Sequence, residues 1–150
     1  RAIQMLNRHD IAVDVVTGAS NPNRDEVEKL ASQISGTTFY CNVNNMAELM
    51  AAADLCVGAG GTSTWERCCL GLPVIALSLA GNQRKIVEDI GRTGIGINLG
   101  RHEEVKESDI KSSIDNLLKN PEKVSGMSLR AMEIVDGRGT DRVSRELLEV

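Results

Sequence analysis

Short apolar runs without strict alternation recur along the chain, separated by stretches whose apolar residues fall three or four apart. Ile11 to Thr17, IAVDVVT, is rich in β-branched residues and stops at Gly18, which predicts a strand. Thr37–Cys41, Asp54–Val57, Val74–Ser78 and Ile95–Leu99 read as further short strands. Helical spacing appears between them. Arg1–Asn7 reads as the end of a helix, Asp25–Ile34 carries Val27, Leu30 and Ile34 on one side, and Asn45–Ala52 is Ala-rich. Thr64–Leu70 stops at Gly71 with Pro73 beyond, a common helix ending. Asn82–Ile90 is a helix expected to end at Gly91 and the Gly94–Gly96 turn. Asp109–Leu118 follows, then a helix begun by Pro121, whose missing N–H costs nothing there, and a last one over Arg138–Leu148. Asn21-Pro22-Asn23 marks a turn, and no internal repeat or low-complexity tract is present.

Strand and helix alternate for most of the length. Short apolar strands fit a sheet buried on both faces. The expectation is an α/β fold: one open parallel sheet with helices on both faces and right-handed crossovers. In such sheets ligands bind beyond the carboxyl ends of the strands. The loops to inspect are therefore Gly18–Asn23, Asn42–Asn45, Gly58–Thr64, Ser78–Gln83 and Gly100–Glu104.

Composition narrows the function classes. At 150 residues the chain fits one domain. Its net charge of -4, without a basic block, and its three aromatic residues argue against a nucleic-acid partner. The longest apolar run, Leu70–Ala80, is interrupted by Gly71, Pro73 and Ser78 and does not reach a membrane span. Cys41, Cys56, Cys68 and Cys69 show no CxxC spacing, and His9 and His102 are the only histidines, so zinc-site spacing is missing. Reduced thiols used as small apolar residues in a cytoplasmic protein are the expectation. The chain opens on Arg1 already in helical pattern, so a strand and loop are expected upstream, with half of a binding cleft.

The segment Gly58–Pro73, GAGGTSTWERCCLGLP, carries the candidate chemistry. Gly58, Gly60 and Gly61 let backbone approach a ligand closely. Thr62, Ser63 and Thr64 offer hydroxyls, and the helix start offers free N–H groups and the positive end of its dipole. Together these suit a diphosphate. The pattern is neither GxGxxG nor GxxxxGK[ST], which disfavours NAD and Walker-type ATP binding. A purely structural reading stands beside it: Ser63 and Glu66 spell a capping box, and the glycines form a tight turn. Glu66 can be cap, ligand or both, since a carboxylate can accept two bonds from a ribose diol.

Val43–Gln83, VNNMAELMAAADLCVGAGGTSTWERCCLGLPVIALSLAGNQ, resembles the C-terminal half of GT-B-type nucleotide-sugar enzymes. Within them it looks most like the pseudaminic acid pathway UDP-sugar hydrolases and the spore-coat polysaccharide biosynthesis proteins. It is more distantly similar to the peptidoglycan N-acetylglucosaminyltransferase. The late segment VDGRGTDRV, Val135–Val143, resembles the hydrolase group's C-terminal signature.

The resemblance implies a Rossmann-like C-terminal half of a GT-B fold that binds a UDP-sugar through its uridine diphosphate, with no cofactor. Val43 and Met46 would border the uracil, Gly60, Gly61, Thr62 and Ser63 would cradle the diphosphate, Glu66 would hold the ribose hydroxyls, and Asn82 and Gln83 would face the hexose. Water would attack a UDP-linked amino-deoxy sugar and release UDP, with a histidine of the N-terminal domain as base. That domain is then this chain's natural partner, and the chain by itself is expected to bind without turnover. A GT-B donor-binding half and a non-catalytic nucleotide-sugar module are the alternatives. Asn45 and Asn82 can also be plain helix caps, Trp65 is expected in the core, Gly137 and Gly139 in a turn, and Asp136–Arg142 in a weak surface ion pair.

Overall fold

The computed structural model describes residues 1–148. The chain runs α1 (Ala2–Leu6), β1 (Val13–Thr17), α2 (Arg24–Ala31), β2 (Thr37–Cys41), α3 (Met46–Ala52), β3 (Cys56–Ala59), α4 (Ser63–Cys69) and β4 (Val74–Ser78). A 3₁₀ turn at Gly81–Gln83 leads into α5 (Arg84–Thr93), followed by β5 (Gly96–Arg101), α6 (Glu107–Leu118), α7 (Pro121–Ile134) and α8 (Gly139–Leu148). Every strand pairing is parallel. The chain is therefore an α/β fold with helices on both faces of parallel sheets, as the alternation predicts.

β4 explains the layering. Its residues Val74, Ile75 and Ala76 are all buried, so the strand has no solvent face. Val74 and Ala76 point into one cluster with Cys68 of α4, Val87 and Ile90 of α5, Ile95 and Ala131 of α7. Ile75 points the opposite way, into a second cluster with Leu6 of α1, Ile114 and Leu117 of α6 and Met127 of α7. Successive strand side chains alternate sides, so one strand seeds both cores.

The strands divide into two sheets instead of the single one expected: β1 with β2, and β3-β4-β5 with β4 central. β1 and β3 each carry an edge that is unpaired among the described residues. A largely apolar groove of about 420 Å³ reaches Val57 of β3, lined by Ala2, Ile3, Leu30 and Ile110 with Arg1, Glu26 and Glu107. Val57 is 42% exposed there.

Several boundaries moved, and at β3 and α5 the contacts give the reason. β3 spans Cys56–Ala59, two residues later than expected, because Gly58 and Ala59 pair with Ala76 and Leu77. The first glycine of the motif is thus a strand residue. α5 runs through Gly91 to Thr93 and stops at Gly94, which takes the left-handed φ of 70°. Gly91 lies against β5, where a Cβ would come within 3.0 Å of the Asn98 Cβ. It is a contact glycine, and Gly94 is the stop.

Candidate functional site

The loop Gly60–Thr62 leaves the carboxyl end of β3 and enters α4. The Gly60 N–H donates to the Leu77 carbonyl at 3.0 Å, which ties the loop to the end of the central strand. Thr64 donates to the Gly61 carbonyl (3.0 Å) and Trp65 to the Thr62 carbonyl (3.1 Å). Between them, the N–H groups of Gly61, Thr62 and Ser63 donate to no protein acceptor among the described residues. Consecutive free backbone donors of this kind can receive an anion.

The two loop glycines differ. A Cβ on Gly60 would sit 2.2 Å from Val87 Cγ2, so helix α5 packs directly on that backbone. A Cβ on Gly61 would meet nothing nearer than Gln83 Nε2 at 3.8 Å. Gly60 is therefore required by packing, whereas space at Gly61 is open to a ligand.

The capping box does not form. The residue preceding α4 is Thr62, in helical conformation and without a side-chain cap. The Ser63 hydroxyl instead accepts from Arg67 Nη1 at 3.1 Å. Arg67 Nη2 donates to the Ala59 carbonyl (2.8 Å) and the Thr64 hydroxyl (3.1 Å). Glu66 is left exposed, and its carboxylate accepts no hydrogen bond among the described residues. The expected core position of Trp65 is also corrected: it is 48% exposed. The inward face of this seven-residue helix holds Thr64, Arg67 and Cys68, at the three- and four-residue spacing of one helix side, and Trp65 falls off it. Arg67, only 6% exposed, takes the buried place that the sequence reading gave to the indole.

Gln83 comes to the same loop. Its Oε1 accepts from the Leu79 N–H at 2.9 Å, and its Nε2 faces Gly61. Asn82 is exposed in the 3₁₀ turn and caps nothing; Gln83 is the residue that precedes α5. Val43, half-buried, lies in the loop after β2, a strand of the other sheet, and Met46, 37% exposed, opens α3. Asn45 does not cap α3 with its side chain, which donates to Glu48 Oε2 at 3.3 Å instead. No hydrogen bond joins the Val43 loop to the glycine loop among the described residues.

A small polar cleft at the carboxyl ends of β4 and β5 adds Arg84 and Arg101, which motif reading did not single out. Arg101 is paired there with Glu103 (3.3 Å) and Glu104 (3.7 Å). His102 is exposed, with Nδ1 3.4 Å from the Ser78 carbonyl oxygen. The four cysteines are free; burial pushes the Cys56 and Cys68 thiols up, against a downward pull from Arg67. Among the described residues no His, Cys, Asp and Glu side chains gather as a metal site requires, and no helix is long and apolar enough to cross a membrane. In the VDGRGTDRV segment Gly137 takes a left-handed φ of 72°, Arg142 Nη1 donates to Asp136 Oδ2 at 2.7 Å, and both side chains are more than half exposed.

Comparison with known proteins assigns the fold and the family. Residues 2–138 match the glycosyltransferase family 28 C-terminal domain. The spore coat polysaccharide biosynthesis protein SpsG of Bacillus subtilis is 25% identical over 135 residues, which cover 90% of this chain and 40% of that protein. An uncharacterised protein of Methanocaldococcus jannaschii is 34% identical over 83 residues, 53% of this chain and 17% of that protein. This chain thus spans well under half the length of these relatives. Among solved structures, WaaG, a glycosyltransferase involved in lipopolysaccharide biosynthesis, superposes with a TM-score of 0.72 at 23% identity, over 92% of this chain and 39% of that one. The UDP-GlcNAc 2-epimerase from Neisseria meningitidis, solved bound to UDP-GlcNAc, also gives 0.72, at 18% identity over 99% of this chain and 40% of that one. These likenesses establish a shared Rossmann-like fold. With the family model matched across nearly the whole chain, this protein belongs to the glycosyltransferase family 28 C-terminal domains.

Proposed function

We propose that this domain holds the uridine diphosphate of a UDP-linked amino-deoxy sugar, and that the enzyme containing it cleaves the bond between the sugar and the diphosphate with water, releasing UDP. The observation that carries the reading is the run of free N–H groups from Gly61 to Ser63 beside an unobstructed Gly61. Such donors stabilise charge as it develops on a leaving diphosphate. The exposed Glu66 carboxylate, unengaged by capping, is free to accept the ribose hydroxyls. Gln83, whose Nε2 faces Gly61, and its neighbour Asn82 are assigned to the hexose, and Val43 and Met46 to the uracil. The hydrolytic step draws on the resemblance of the motif to the hydrolase group and on the similarity to the spore-coat protein. The general base would come from a partner domain, since neither His9 nor His102 stands in the glycine loop.

A second reading, the donor-binding half of a transferase, draws on the family itself, which is a glycosyltransferase family. The binding arm of the test is titration of UDP, UMP, ADP and NAD into isotopically labelled protein. UDP is expected to shift the amides of Gly60–Glu66 and the Val43 loop, and NAD to shift none. Glu66→Ala is expected to weaken UDP without lowering the melting temperature. A lower melting temperature with unchanged UDP affinity would make Glu66 a purely structural residue. The catalytic arm supplies a UDP-sugar to the full-length enzyme without acceptor: stoichiometric UDP release supports hydrolysis, and release only with an acceptor supports transfer.

A further inference from the structure

Arg67 is the one strongly buried cation described in the structure, at 6% exposure. Its guanidinium gathers the parts of the glycine loop: Nη2 holds the Ala59 carbonyl and the Thr64 hydroxyl, and Nη1 holds the Ser63 hydroxyl. All three acceptors are neutral. The Nε atom is buried and has no partner. Among the described residues no carboxylate lies within ion-pairing distance of Arg67, while Arg8, Arg24, Arg92, Arg101 and Arg142 each have one. The titratable groups that face it are the Cys56 and Cys68 thiols, which burial keeps in the neutral form. A buried charge without a counter-charge is costly and persists where another requirement holds it.

We propose that Arg67 is the positioning residue of the Gly60–Ser63 loop, and that the anion this loop accepts is the counter-charge its buried guanidinium lacks. The proposal rests on the diphosphate reading of the loop given above. The planar fork spreads one positive charge over three neutral acceptors of the loop. One guanidinium reaches the Ala59 carbonyl at the strand end and the Ser63 and Thr64 hydroxyls at the helix start together. Arg67 thereby fixes where the Gly61, Thr62 and Ser63 donors point. It adds a positive potential in a poorly solvated place, where it acts strongly on a bound anion.

The test compares wild type, Arg67→Lys and Arg67→Met in the full 150-residue chain, with UDP, UMP and inorganic pyrophosphate as probes. Arg67→Met is expected to weaken UDP and pyrophosphate about 10- to 100-fold, the size of a lost interaction with a charged group. UMP, with one phosphate, should lose less. Arg67→Lys keeps the charge and is expected to recover most of that affinity at a lower melting temperature. A purely structural Arg67 would lower the melting temperature in both variants and leave UDP affinity within about twofold of wild type, which overturns the proposal. Should Arg67→Met fail to fold, Arg67→Lys decides: retained affinity supports the charge role, and a loss as large as 10-fold overturns it. Wild-type binding of pyrophosphate with no preference for UDP would refute the nucleotide reading and leave the Arg67 proposal standing. Wild type that binds neither ends both.

Discussion

Alanine at Gly60 and alanine at Gly61 are expected to have opposite consequences, although the residues are adjacent. At Gly60 the new methyl would lie 2.2 Å from Val87 Cγ2, where two carbons need about 3.5–4.0 Å. Val87 is 2% exposed and enclosed by Cys68, Ala76 and Ile90, so it has no free space to enter. Overpacking of this kind costs about 1–3 kcal/mol. For a chain of this size each kcal/mol moves the melting temperature by about 2–4 °C, so Gly60→Ala should lower it by about 2–12 °C. At Gly61 the methyl would have 3.8 Å of clearance, and the backbone is not in the left-handed region. Gly61→Ala should leave stability level or raise it by about 0.4–1 kcal/mol through the unfolded chain. The same methyl, placed over the free N–H run, should weaken UDP by about 1.5–3 kcal/mol, or roughly 10- to 100-fold. Differential scanning calorimetry and isothermal titration on the two variants check both halves. An unshifted melting temperature for Gly60→Ala refutes the packing argument, and wild-type UDP affinity for Gly61→Ala refutes the ligand argument.

Other consequences of the structure are open to simpler measurements. Cys41 and Cys69 are exposed while Cys68 is buried and Cys56 half-buried with raised thiols, so a brief maleimide pulse on native protein should label the first two; mass mapping that finds Cys68 labelled first contradicts the packing of α4. The Arg142 guanidinium, and then the Arg138 N–H, hold the Asp136 carboxyl at about 2 against an ordinary 3.8. A depressed carboxylate stabilises fully above its unfolded value and loses that contribution as pH falls toward its folded one. The urea midpoint of wild type should therefore exceed that of Asp136→Asn near neutrality and converge on it as pH drops from about 4 to about 2. A gap that stays constant over that range removes the ion pair as its cause.

Much of the scaffold was legible from residue type. β2 and β4 fall where β-branched and apolar residues cluster, and Pro121 opens α7 as its missing N–H suggests. The alternation predicted parallel pairing. What the sequence did not disclose lies in contacts between distant segments. Nothing local distinguishes Gly60 from Gly61, because the difference is Val87, 27 positions past Gly60 and on another helix. Nor does residue type say which side of α4 faces inward. Hydrophobicity favours Trp65, but the reach of Arg67 to the Ala59 carbonyl and two hydroxyls wins. The Ser63–Glu66 spacing matched a capping box in letters only, since the helix begins one residue earlier than a Ser63 cap would require and Ser63 serves Arg67. The assignment of Val43 and Met46 to the uracil came from resemblance, and both residues follow β2, a strand of the other sheet from the one that ends in the glycine loop.

The outward-turned indole has a practical consequence. Trp65 is the chain's sole tryptophan and flanks Glu66 at the start of α4. Its half-solvated ring should emit at long wavelength and be quenched by iodide in the resting protein. Intrinsic fluorescence of the unlabelled chain therefore watches a single helix, and a nucleotide that settles beside it should announce itself by a change in colour or brightness.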